Sequence, residues 1–417
     1  MLLVMILLIL TLIIPPTQAQ NEEGNIVHRQ TVYTALTYHQ PTGNRFVEGM
    51  GTFPDVRSID YRLPGMPIWL LLTPEDPLLV HVILEDGSHW RLSDVVEQSR
   101  RIPSTAPMTT DTSFALLANP ADAAAFTHPI VLGDDQIAYV NQNGDLVLSR
   151  RDTVLDQLAL GIQPDARLVI NDIGQIAVYA AGTNQRYVHG IMGDDVEGTA
   201  LVVVEVVEDR LQIISRVDLL DDNIYEGLSP MWADVDGDSI QDLITTVSNG
   251  GDGARNRVYL FDGGTLTREI DGTIIGRPNR WQHQLAWGPF GVDGEMLLVD
   301  VLTPHIGGIV RFHRYTGSSL EVVAEIGGHT SHVIGSRNLD MAVAGDFNGD
   351  GRPEIVLPTQ DRTQLDGIQL TENGPQVMWS LPLEGQLSTN LSALSANGRP
   401  LALVAGMADG RIRVWFP

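Results

Sequence analysis

Asp234-Val-Asp236-Gly237-Asp238-Ser-Ile240-Gln-Asp242-Leu243 is the stretch on which the reading of this chain turns. It sets oxygen side chains at positions 1, 3, 5 and 9 of a nine-residue loop, with glycine at 4. Asp346-Phe-Asn348-Gly349-Asp350-Gly-Arg352-Pro-Glu354-Ile355 repeats the frame. Alternate residues of a tight loop can converge on one point, and a hard cation wants that arrangement. Ca²⁺ takes six to eight oxygens at about 2.3–2.6 Å from carboxylates and carbonyls. The carbonyls of Ile240 and Arg352, at position 7, can each add a backbone ligand. Four acids so close would repel one another without a cation. Mg²⁺ fits less well, because it prefers octahedral, water-rich sites.

The loops are not EF-hands. That motif needs glycine at 6, glutamate at 12 and flanking helices. Here position 12 is Thr245 or Leu357, and Pro353 interrupts the second loop. Short apolar runs precede both loops, Met231-Trp-Ala233 and Met341-Ala-Val-Ala344, and β-prone residues follow, Leu243–Val247 and Ile355–Leu357. Each loop therefore reads as the turn of a hairpin. The strand–acidic loop–strand unit resembles the FG-GAP/VCBS repeat of integrin-α-like propeller heads. That resemblance implies a β-propeller in which the ions brace hairpins between blade strands.

The two loops begin 112 residues apart, at 234 and 346. Halfway between, Gln284–Asp300 repeats the frame without its acids, and Leu391–Ala405 repeats it once more beyond the second loop. Upstream, Arg167–Tyr179, His128–Val140 and Pro67–Ile83 fit the same frame. Units of this size suit propeller blades of four strands. The expectation is an all-β fold, a seven-bladed β-propeller built from four-stranded antiparallel blades. Six or eight blades, or tandem β-sandwiches, are the alternatives.

The expected domain boundaries follow. Residues 1–19 carry an apolar run, Met1–Ile14, ahead of Thr17 and Ala19 at the −3 and −1 positions of a cleavage site. They read as a signal peptide or an N-terminal membrane anchor. Residues 20–60 are an extension able to supply a ring-closing strand at Gln30–Leu36, and 61–417 form the propeller. Residues 94–127, rich in Ser, Thr, Pro and Ala, read as an inter-strand insertion. The chain is thus expected to be secreted, periplasmic or on the cell surface.

The chain has no cysteine, so neither disulfides nor a lipoprotein thiol is available. Its net charge of −26 disfavours nucleic acid and anionic membranes. Membrane contact would come only through an uncleaved leader. The tryptophans, at 69, 90, 232, 281, 287, 379 and 415, fall about one per unit and read as core.

The second cluster of chemistry is His189, His283, His305 and His332, with Arg337, Asn338 and Asp340. When the units are overlaid, His283 and Asp340 fall at the entrance of an inner strand. The set is expected to share one face and contact a ligand. No Gly-x-Ser-x-Gly elbow, His-Glu-x-x-His or phosphate-binding loop accompanies it. The expected role is a non-catalytic, calcium-binding interaction module for an extracellular protein or carbohydrate. A lyase or hydrolase of extracellular polymers, using the His/Asp cluster, is one alternative. A structural surface-assembly protein is another.

Overall fold

The computed structural model describes residues 25–30, 41–73, 79–93, 120–124, 126–133, 135–150, 153–262, 264–395 and 399–417. Every regular element among them is a β-strand. The leader at 1–19, most of Gln30–Leu36 and most of 94–127 lie outside the described residues.

The strands form seven sheets in chain order, antiparallel apart from one added strand. The first contains Pro67–Thr73, Leu79–Leu84 and His89–Ser93, with Asn25–Gln30 outside. The second runs from Ile130–Gly133 through Gln136–Val140 and Asp145–Arg150 to Thr153–Ala159. The third runs from Val169–Ile170 through Ile176–Ala180 and Ala200–Val207 to Arg210–Asp218. The fourth holds Met231–Ala233 and Ile224–Tyr225 on one side of Asp242–Asn249, then Gly253–Asp262 and Thr265–Asp271. The fifth orders Gln282–Gly288, Leu297–Leu302, Ile309–Tyr315 and Leu320–Gly327. The sixth orders Val343–Asp346, Glu354–Pro358, Gln364–Thr371 and Gly374–Pro382. The seventh comprises Ser392–Leu394, Ala402–Gly406 and Arg411–Phe416. Its fourth strand is Arg57–Arg62 from the other end of the chain, with Tyr61 paired to Ile412. The 60/61 boundary therefore falls inside a strand, and the strand joining the two ends lies after Gln30–Leu36.

Burial follows the strand order. Gln282–Gly288 is buried throughout, as is Leu297–Val301 of the strand beside it. The fourth strands alternate, as in Arg210–Asp218 and Leu320–Gly327, with one side toward water. Inner strands packed on both faces need near-continuous apolar runs. That is why Leu-Leu-Val-Asp-Val-Leu was legible as a strand without alternation. Consecutive sheets share side-chain clusters. Leu148 and Val202 join the second sheet to the third, and Tyr179 and Tyr225 join the third to the fourth. Ile244 and Leu298 follow, then Val299 and Ile355, then Val356 and Leu403. Val404 and Leu70 join the seventh sheet to the first. Trp69 of the first sheet meets His128, which leads into the second, at 4.8 Å between rings. Six of the tryptophans are buried, at 0–7% exposure, which fits packing.

Residues 41–53 form a belt that the sequence did not reveal. Pro41 O accepts from Ile170 N, Thr42 O from Trp232 N, and Arg45 O from Ala344 N. Arg45 N donates to Leu285 O, and Leu401 N donates to Met50 O. The belt thus runs along the inner strands from the third sheet to the seventh. Phe46–Met50 pairs parallel with Val343–Asp346, the one parallel pairing among the described strands.

Close packing sets one local test. A Cβ on Gly308 would run into the His329 carbonyl. Gly308→Ala should cost about 1–3 kcal/mol, the range for overpacking. Urea unfolding checks it, and an unchanged midpoint would mean that the turn has room.

Candidate functional site

The two acidic loops occupy equivalent places. Each joins the first strand of its sheet to the next, and each ends on a buried acid that opens the second strand, Asp242 or Glu354. In the first loop, carboxylate oxygens of Asp234, Asp236 and Asp242 lie within 4.8 Å of one another. Asp234 accepts from Gly237 N and Ser239 N at 2.8 and 3.1 Å. Asp242 accepts from Val235 N and Phe261 N, both at 2.9 Å. Asp238 turns to Ile240 N at 2.8 Å. The second loop copies this frame. Asp346 accepts from Gly349 N and Gly351 N, Asn348 from Asp350 N, and Asp350 from Arg352 N. Glu354 Oε2 accepts from Phe347 N at 2.9 Å, while its buried Oε1 has no hydrogen-bond partner among the described residues.

Burial pushes both position-9 carboxyls up to about 7, and the neighbouring loop acids push the same way. Backbone N–H groups oppose that rise without cancelling it. The first loop fits a cation, whose charge its three converging carboxylates would satisfy; the second brings no such group of three together and offers only an orphaned buried oxygen beside its loop acids. Gln369 already donates to Asp350 and to Arg352 O, so part of the second loop is engaged by the protein.

The histidine set lies at the other end of the strands. His189 and His305 belong to connections between second and third strands, in the third and fifth sheets. His283 is near the start of an inner strand, and His332, Arg337, Asn338 and Asp340 lie on the segment leading into the sixth sheet. Trp281 gathers three of the imidazoles. His283 and His305 stack on it at 4.9 and 5.9 Å between centroids, and His332 meets it edge-on at 5.3 Å. Trp281 Nε1 donates to Glu226 O, and the Glu226 carboxylate takes His189 Nδ1 at 2.6 Å and Ser248 Oγ.

Most of this set is buried and internally satisfied. His283, His332 and Asp340 are at most 2% exposed. His283 Nδ1 bonds Ser331 Oγ at 2.9 Å, and the void beside it, about 10 Å³, has room for roughly one water. His332 Nε2 lies 2.7 Å from Ser336 O, which can only accept, so that nitrogen carries the proton. Nδ1 of the neutral ring then accepts from His305 Nε2 at 2.8 Å. Asp340 lies between Arg45 Nε at 3.1 Å and Arg167 Nη1. Arg337 reaches Asp165 and Asp194 at 3.2 and 2.9 Å, and stacks on Phe126 at 4.0 Å. His305 and Arg337 keep partial exposure. Arg45, Arg167, Glu226 and Trp281 complete the network, and sequence reading missed their part in it. No local pattern marks them, because each meets its partners across more than one sheet.

Burial pushes His332 down to about 3 and His305 to about 4; the hydrogen bond to Ser336 O opposes the His332 shift and the Arg167 guanidinium adds to it. In the unfolded chain an imidazole titrates near 6.5. The unfolded state therefore takes up protons first, and stability falls as pH drops from about 6.5 toward 4. Each such imidazole removes up to about 1.4 kcal/mol per pH unit. His332→Gln should flatten this dependence in urea unfolding between pH 7 and pH 5. An equal slope in wild type and variant would show that His332 does not stay neutral.

On the same edge opens a cavity of about 500 Å³. It is walled by Met66, Ile68 and Trp69 at the first sheet, by Phe126, and by Val333, Arg337, Asn338 and Met341 from the segment leading into the sixth sheet, with Arg362 at a turn of that sheet. A void of this size suits a small ligand or a peptide segment.

No family model and no curated protein match the chain. The resemblance to FG-GAP/VCBS repeats therefore rests on the two loops and their spacing. Among solved structures, the crystal structure of BamB from Moraxella catarrhalis is similar at a TM-score of 0.42 and 10% identity, over 90% of this chain and 85% of that one. Likeness at that level says nothing about what this chain binds.

Proposed function

We propose that the chain is an exported, seven-bladed β-propeller of the FG-GAP/VCBS kind that works as a non-catalytic binding module. Seven sheets in chain order, side-chain contacts from each to the next, and a last sheet completed by Arg57–Arg62 support the closed ring. Pairing Arg57–Arg62 with Arg411–Phe416 covers a strand edge that would otherwise be free to pair with another chain. Ca²⁺ in the two acidic loops would brace hairpins at one end of the strands. The binding surface lies at the other end, so the ions hold the frame and do not touch the ligand.

The observation that carries this reading is the cavity. It is concave, mostly apolar, and assembled from connections of several sheets, as binding sites commonly are. Crystals soaked with a mixed set of small apolar and polar fragments test it. Fragments should collect in the cavity. An empty cavity, with fragments gathered elsewhere, would overturn the reading.

A polymer-cleaving enzyme is the second reading, and the gathering of His189, His283, His305 and His332 about Trp281 favours it. Against it, His283 and His332 already spend their ring nitrogens on protein partners. Release of new chain ends from an extracellular polysaccharide, lost in His305→Ala, would favour the enzyme.

A further inference from the structure

Two residues that line the cavity carry buried side-chain donors the protein does not use. Trp69 Nε1 and Asn338 Nδ2 are buried and have no hydrogen-bond partner among the described residues. The Asn338 orientation is fixed, because its Oδ1 accepts from Asp340 N at 3.0 Å. Trp69 and Asn338 are 7% and 8% exposed, and both line the cavity.

The cavity's arginines differ in the same respect. Asp340 engages Arg167, and Asp165 and Asp194 engage Arg337. Arg362 has no carboxylate partner among the described residues. It donates from Nη1 to Leu387 O at 2.8 Å and makes no ion pair. Its neighbour Asp361 is taken by Thr359 Oγ1 and Thr363 N. Burial lowers the Arg362 pKa, and no acid raises it. The backbone is fixed on both sides, since Arg362 N donates to Thr359 O and Leu387 N donates to Arg362 O. A positive φ of 62° completes the turn that aims the side chain. A half-buried guanidinium held in place without an anion is a ready bidentate anchor.

We infer that the cavity binds a small amphipathic carboxylate, with the carboxylate on Arg362 and its apolar body against Ile68, Trp69, Phe126 and Met341. Unpaired donors select a ligand that only accepts at its polar end, and the apolar wall selects the body. A protonated amine cannot accept and is repelled by the guanidinium, and a neutral alcohol accepts but brings no charge to pair with it. This inference rests on the binding-module reading and names its ligand class.

Isothermal titration of the folded chain with octanoate, 1-octanol and octylamine tests it. Octanoate should bind one to one, at least about tenfold tighter than octanol, with octylamine weakest. Arg362→Gln should bring octanoate down to the octanol level and leave octanol unchanged, with the melting temperature near wild type. Ile68→Trp, which fills the cavity, should weaken both. Equal binding of octanoate and octanol, or an octanoate preference that survives Arg362→Gln, overturns the carboxylate anchor and leaves the binding-module reading standing. A cavity that takes neither probe overturns the inference, and the fragment soak then decides the broader reading separately.

Discussion

Asp340→Ala is expected to destabilise the protein by about 3–5 kcal/mol, because it leaves two buried guanidiniums without an anion. The Asp340 side chain has no exposure, and those of Arg45 and Arg167 have 5% and 3%. Arg45 comes from the belt, Arg167 from the start of the third sheet, and Asp340 from the approach to the sixth. One carboxylate thus ties three distant parts of the chain. Asp340→Asn keeps the shape and removes the charge, so it should recover little of the loss. Asp218 pairs with Arg216 at the surface, and Asp218→Ala should cost under about 1 kcal/mol. Urea unfolding of the three variants checks the comparison. A cost for Asp340→Ala as small as for Asp218→Ala would mean that water reaches the buried arginines.

Ca²⁺ is expected to raise the melting temperature and a chelator to lower it. At 100 times its Kd, a ligand confined to the folded state stabilises by about 2.7 kcal/mol per site. Asp236→Ala should remove more of this than Asn348→Ala, since it deletes a charge from a four-carboxylate loop. Glu354→Gln gives a change of sign. Without a cation, the variant relieves a buried carboxyl whose second oxygen is unpartnered, so it should be as stable as wild type or more so. With Ca²⁺ it loses a ligand and should be less stable. Superimposable melting curves in Ca²⁺ and chelator would remove both sites. A variant that is uniformly worse in both conditions would reduce Glu354 to packing.

Legibility in the sequence followed the range of the interactions. The acidic loops are local, and their spacing alone placed hairpins at 231–249 and 343–358. The frame without acids was enough to find Gln282–Gly288 with Leu297–Leu302, and Ser392–Leu394 with Ala402–Gly406. Continuous apolar runs carried that signal. Residues 41–53 carried none, because the belt is held by backbone hydrogen bonds to five sheets and needs no side-chain pattern. Arg57–Arg62 was hidden too, since its partner lies at the far end of the chain. The structure puts the four histidines at one end of the strands. Their burial was not legible, because Trp281 covers them only once the fifth and sixth sheets have met. Arg362 and Asn338 could not be told from ordinary turn residues until the cavity brought them together.

A crystal structure grown in millimolar Ca²⁺ would show both the ring and its ions. The expected result is a closed ring of seven blades, sealed by Arg57–Arg62 against Arg411–Phe416, with one ion in each acidic loop and the cavity open at the opposite end of the strands. An open or differently counted array, or two loops free of ions at that concentration, would contradict it.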